Sequence, residues 1–301
     1  MEDFAAIFRK LPHLDLTGQI EDIEPVASGL GPSCEVFKGH WKDGKKTVAV
    51  KRLRVFLKKE KRVVKKLARE VYIWSKLKHK NVLPLLGCFL EGDEFPNLVS
   101  EWMVKGTLYD YMPNLPRGVW TVEMACGIAE GLAYLHDNCV VHADLKSPNV
   151  LLSRTLEPLL ADFGVSHILT GSMSQMCGTS MMNLKGTSRW MAVELLATDS
   201  EMIPDEKSDV WAFGMVLYEL LERTLPFNHL KTDQQIILAI SKGQVPESPS
   251  SKDRKDLPLS ERGLWDICGD CWRKKPELRP SMSEILSDIG EYVTPPIRNS
   301  K

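Results

Sequence analysis

Between Ile23 and Trp102, apolar and polar residues alternate in short runs bounded by turn residues, the pattern of half-buried strands. The stretches PVASGLG, CEVFKGHW, TVAVKRL, LPLLGCFL and NLVSEWM predict strands, and Asp43-Gly44 between the second and third predicts a hairpin turn. One helix interrupts them, because Val64, Leu67, Val71, Trp74 and Leu77 recur at helical spacing. After Lys105-Gly106 the pattern turns mainly helical. Residues 122–136 carry Ile128, Leu132 and Leu135 on one stripe. Residues 210–221 are apolar nearly all round, interrupted by Glu219, as expected of a buried helix. Residues 246–256 read as a loop, and those after Pro296 as a frayed tail. The fold class is therefore α+β. An N-terminal extension (1–22) precedes a small antiparallel β-sheet lobe with one helix (about 23–102). A short connector leads to a larger, mainly α-helical lobe (about 107–292), followed by a flexible tail (293–301).

Composition narrows the function classes. The 301 residues carry a formal net charge of -1, which gives no global pull toward nucleic acid or membranes. No apolar run reaches the ~18 residues of a membrane span, and the N-terminus lacks a signal-peptide core. Seven cysteines without framework spacing suit a reduced cytoplasmic or nuclear setting. Cys268 and Cys271 form a lone CxxC beside Trp272 and read as buried helix residues. The stretch from Arg52 to Arg69 holds nine Lys or Arg against Glu60 alone, and reads as a solvated face. Nothing in the sequence reports the oligomeric state.

Three stretches carry candidate chemistry. In SGLGPSCEVFKG, Gly29 and Gly31 sit at a strand turn before Val36, where the absence of a β-carbon lets backbone amides approach phosphate oxygens. Cys34 stands where a third glycine of a GxGxxG pattern would be, so the stretch alone is equally a glycine-containing hairpin. Lys51 ends the strand TVAVK, and Glu70 shares the inward helix face with Leu67 and Trp74. An acid on an apolar face needs a cation, which Lys51 can supply while also holding phosphates. In VVHADLKSPNVLL, Asp144 can accept a proton from an attacking hydroxyl or hold it in line, and Lys146 can neutralise charge on a transferred group. Asn149, and Asp162 in ADFG, supply oxygen ligands of the kind Mg²⁺ takes.

The order of these elements (glycine turn, strand Lys, helix Glu, HxDLKxxN, DFG) resembles the protein kinase family from about Ile23 to Tyr292. The resemblance implies a bilobal kinase fold, ATP as co-substrate, Mg²⁺ or Mn²⁺ as cofactor, and protein substrates. GTSRWMAVELL resembles the end of a kinase activation loop, with Val193 where proline is usual. It also implies that Asp209 opens the helix supporting the catalytic loop, and that Arg279 pairs with Glu194. LKSPN and Gly186-Thr187 look like serine/threonine specificity, whereas LVSEWMVKGTL has a tyrosine-kinase flavour. The combination is similar to tyrosine-kinase-like serine/threonine kinases. By the same resemblance Ser100 is the gatekeeper, and the backbone at Glu101 and Met103 bonds adenine. Ala49, Val36 and Leu151 would pack on its faces. Ala143 replaces the arginine that in other kinases holds a phosphorylated activation loop. The alternative is a pseudokinase serving as a nucleotide-binding scaffold, suggested by Cys34, Ala143 and Val193. None of the three removes a charged catalytic group.

Overall fold

A computed structural model describes residues 12–30, 34–44, 46–53, 61–91, 95–116, 118–163, 187–196, 203–247 and 257–293. Among them one compact unit ends at Val104 and a second begins at Lys105. The loop expected at 246–256 and the tail expected at 293–301 lie outside the described residues except for 246, 247 and 293.

In the first unit the alternating runs become β1 (Ile20–Glu21), β2 (Gly29–Leu30), β3 (Cys34–Trp41), β4 (Thr47–Leu53), β5 (Leu85–Glu91) and β6 (Phe95–Glu101). They form one antiparallel sheet in the order β1-β3-β4-β6-β5, with β2 on β3. The expected strand around PVASGLG is shorter than its pattern suggests. Pro25 has no N–H to donate, and the segment holds to β3 through single bonds, Glu24 N–H to Lys38 O and Ser28 N–H to Val36 O. Gly44 closes the β3–β4 turn with a φ of +66°, a conformation that favours glycine.

The two-residue period decides which side chains make the core. Val48, Val50 and Val99 are fully buried on one face together with Leu16 and Phe37, each contributing ~1.5–3 kcal/mol. Ala49 and Lys51 alternate with them and point to the other face. The helix α1 (Lys61–Lys76) lies against β5, with Leu67, Val71 and Trp74 buried. Trp74 satisfies its indole N–H on Leu83 O at 2.7 Å. The segment assigned to an N-terminal extension also joins the sheet. Leu16 N–H donates to Cys88 O at 3.0 Å, and Leu14 and Leu16 are both buried.

The second unit holds α2 (Leu108–Tyr111), α3 (Val119–Asp137), α4 (Glu206–Glu222), α5 (Asp233–Ser241), α6 (Leu259–Cys271) and α7 (Met282–Val293). A two-stranded sheet, β7 (Val150–Leu152) with β8 (Pro158–Leu160), adjoins them. Helix α4 is its axis: every residue from Ser208 to Leu221 is buried, as its all-round apolar pattern requires. A reciprocal capping box of Asp205 and Ser208 starts it, and Arg223 in a left-handed conformation ends it. Both α3 and α6 pack on α4, and α7 packs on α3 and α6. Gly214 makes the α4–α6 approach possible, since a β-carbon there would stand 2.6 Å from Cys271 Cβ. Cys268 and Cys271 are fully buried, and burial pushes the Cys271 thiol up. They are packing residues.

Candidate active site

The loop after α3 is built around Asp209, in the first turn of α4. Its carboxylate accepts the backbone N–H groups of His142 (2.7 Å) and Ala143 (2.9 Å) and meets His136 Nε2 at 3.0 Å. A buried carboxylate needs such donors, and the helix N-terminus favours its charge. The two backbone bonds hold Ala143 at a φ of +63°, which turns the chain sharply. Beyond that turn, Lys146 Nζ donates to Asp144 Oδ1 at 3.0 Å and to Thr187 Oγ1 at 2.8 Å. Asn149 Nδ2 donates to Asp144 O at 2.7 Å and to Asp144 Oδ2 at 2.9 Å. Both oxygens of the Asp144 carboxylate are thus oriented by neighbours two and five residues away.

Spending its N–H₂ group on Asp144 leaves the Asn149 amide oxygen to accept or to ligate. Ala161 N–H donates to Asn149 O at 2.9 Å, so Asp162 follows directly on a residue tied to Asn149. Asp162 sits at a φ of +63°. Burial lowers the pKa of His142, and the carboxylates of Asp209, Asp144 and Asp162 pull it the other way. One amide oxygen and one carboxylate fit a hard divalent cation that shares its remaining positions with phosphate and water.

A second segment, residues 187–196, is pinned independently. Ser188 Oγ donates to Asp233 Oδ1 at 2.6 Å, and Arg189 Nη1 donates to the carbonyls of Pro226 (2.7 Å) and Phe227 (2.8 Å). Arg279 makes a bidentate pair with Glu194 at 2.6 and 2.7 Å while its guanidinium lies 5.0 Å over Trp211. Ala143, Asp144, Thr187, Trp190 and Asp209 line a cavity of about 30 Å³ between this segment and the loop carrying Asp144, room for roughly one water.

Sequence reading missed one group here. Glu219 lies in the middle of α4 at 1% exposure, accepting from Ser147 Oγ at 2.6 Å and from Trp190 Nε1 at 2.8 Å. Burial pushes its carboxyl up to about 7, with those two side chains, the Ser147 backbone N–H and Arg189 pulling the other way. The signal was the lone acid in the apolar run 210–221.

In the first unit, Val36 stands opposite Lys51, and Ala49 opposite Ser100, across the ladder. Ser100 is buried, while Glu101 is exposed at the end of β6 and Met103 is half-buried beyond it. Among the described residues, a β-carbon on Gly29 would meet only Val36, at 3.6 Å. Gly31 lies outside the described residues. Glu70 is half-buried and burial raises its pKa, with Arg69 opposing the rise. In the second unit Leu151, on β7, bridges to Thr107.

Residues 26–289 match the family model described as the protein kinase domain. The chain is 32% identical over 238 residues to the serine/threonine-protein kinase STY17 of Arabidopsis thaliana, covering 77% of this chain and 38% of that protein. It is 33% identical over 233 residues to STY46 of the same plant, covering 75% and 37%. Against a Drosophila melanogaster protein named a putative mitogen-activated protein kinase kinase kinase 7-like, identity is 33% over 242 residues, covering 77% and 57%. The chain thus spans well under two thirds of these relatives. No helix among the described residues is long and apolar enough to cross a membrane. The chain belongs to the protein kinase family.

Proposed function

We propose that the chain transfers the γ-phosphoryl group of ATP to serine or threonine hydroxyls of protein substrates, in a cytoplasmic or nuclear setting. The observation that carries this reading is Lys146, whose ammonium bonds Asp144 and Thr187 together. The carboxylate that would receive or orient the hydroxyl is thereby joined to the segment that would hold the peptide. Catalysis of this kind is positioning and electrostatics. Asp144 orients the hydroxyl, and Lys146 offsets charge on the transferred group. Lys51 holds phosphate oxygens with Glu70 as its counter-charge, and Gly29 and Gly31 admit backbone amides to the phosphates. Val36, Ala49, Ser100, Glu101, Met103 and Leu151 receive the adenine. Asn149 and Asp162 would hold Mg²⁺ or Mn²⁺, which when bound offsets the charge of the phosphates. Glu194, Asp209 and Arg279 keep the platform in place.

The test is purified protein with labelled ATP, Mg²⁺ and a basic protein substrate, followed by phosphoamino-acid analysis. Phosphoserine and phosphothreonine are expected. Lys51→Met and Asp144→Asn should each melt normally yet lose orders of magnitude in transfer. Variants that fold and turn over at the wild-type rate would end the assignment. A wild-type protein that binds ATP and transfers nothing would turn it into a scaffold.

A further inference from the structure

Two short segments have to hold their places for such a transfer: the loop carrying Asp144, and the strip from Thr187 onward. Lys146 joins them at the surface of the site. Beneath them α4 presents one carboxylate to both. Ser147, which donates to one oxygen of Glu219, lies next to Lys146 and two residues before Asn149. Trp190, which donates to the other oxygen, lies three residues after Thr187. Ser147 is fully buried and Trp190 is 5% exposed, so neither donor has water as a substitute. A carboxylate is the side-chain group that accepts at two separate oxygens without offering a donor of its own.

We propose that Glu219 is a positioning residue, a buried clasp that holds the catalytic loop through Ser147 and the substrate segment through Trp190 in a fixed relation. The role rests on the phosphoryl-transfer reading above. Its two arms act on different quantities. The Ser147 arm sets where Asp144 and Asn149 stand, and therefore the rate of the bound complex. The Trp190 arm sets where the peptide lies, and therefore its KM. Glutamine is shaped to replace the carboxylate: its oxygen accepts the indole N–H, and its N–H₂ donates to the Ser147 hydroxyl, which turns to accept. Leucine fills a similar space and bonds neither.

The experiment compares wild type with Glu219→Gln, Glu219→Leu, Ser147→Ala and Trp190→Phe, measuring kcat and KM for peptide and for ATP. NMR follows hydrogen exchange of the Trp190 indole N–H in the same proteins. Glu219→Gln should stay close to wild type. Glu219→Leu should lose about a hundredfold in kcat, the scale of a misplacement near 1 Å, and raise peptide KM with ATP KM unchanged. Ser147→Ala should lower kcat with little change in peptide KM, and Trp190→Phe should do the reverse. These two smaller changes keep the test available if Glu219→Leu does not fold. The indole should exchange slowly in wild type and in Glu219→Gln, and fast in Glu219→Leu. Unchanged constants in both Ser147→Ala and Trp190→Phe would overturn the proposal. So would a Glu219→Gln protein as impaired as the leucine variant, or an indole that exchanges fast in wild type. The indole measurement decides the clasp even for a wild-type protein without transfer activity, an outcome that would count against the proposed reaction instead.

Discussion

Ala143 sits at a φ of +63°, where a β-carbon is disfavoured, and two backbone bonds to Asp209 flank it. Arginine carries the same β-carbon, so Ala143→Arg should leave stability almost unchanged while adding a cation beside the site. A phosphate on the neighbouring loop gains about one to three charge-assisted bonds from such cations, and an alanine side chain supplies none. By the kinase resemblance Thr179 and Ser180 are hydroxyls of that loop, and His167, five residues after Asp162, matches a position that in some kinases carries a second phosphate-facing cation; all three lie outside the described residues. The expected outcome is that phosphatase-treated and autophosphorylated wild-type protein have similar activity, while the arginine variant depends on phosphorylation. A large activity loss on dephosphorylating the wild type would refute this. At this scale the sequence was informative about chemistry. Asp144, Lys146 and Asn149 lie within six residues, and the loop that holds them in register is itself short.

The first unit's sheet depends on a segment that precedes the residues matched by the family model. A β-carbon on Gly87 would lie 2.6 Å from both Leu14 O and Leu16 Cγ, backbone and side chain of that segment. Overpacking of this kind costs about 1–3 kcal/mol, and truncating the buried Leu16 to alanine should cost about 2–5 kcal/mol. Gly87→Ala and Leu16→Ala should therefore both lower the thermal midpoint and speed proteolysis around residues 12–21. Wild-type cleavage in both would show that the segment is dispensable to the sheet. The neighbouring strand β6 carries the second element-scale prediction. Ser100 is 7% exposed, with Ala49 and Leu85 as its ladder partners, so its position is enclosed and its side chain small. Inhibitors with a bulky apolar group behind the adenine ring should bind the wild type, and Ser100→Met should block them by filling that space. Equal inhibition of both proteins would remove Ser100 from the pocket.

Across the molecule, stability should carry the mark of the buried Glu219. Burial raises its carboxyl from 4.5 to about 7, so between those values the folded chain keeps a proton that the unfolded chain has released. The folded state then binds more protons, and stability falls as pH rises through that window. The full shift corresponds to about 3 kcal/mol. His142 acts in the opposite sense, because its pKa is lowered by burial and its stabilisation is lost as pH falls below the ordinary histidine value. The charged group facing Glu219 is Arg189. Comparing wild type with Glu219→Gln separates the contributions: the glutamine protein should be more stable by up to about 3 kcal/mol at pH 8.5 and nearly equal at pH 4. A difference in unfolding free energy that is the same at both values would exclude the mechanism. What the sequence determined by itself was local: the two-residue and helical periods located β3 to β6, α1, α3 and α4, and the spacing of charged residues on short loops marked the chemistry. It also showed an acid inside an apolar helix, without saying what would satisfy it. Only the tertiary structure decided that Glu219 meets a serine 72 residues away and a tryptophan 29 residues away, and that Leu14 and Leu16 close onto Gly87. Periodicity reports which face a residue occupies along its own element. Which distant group comes to lie against that face depends on how the elements pack, and packing is a property of the folded chain as a whole.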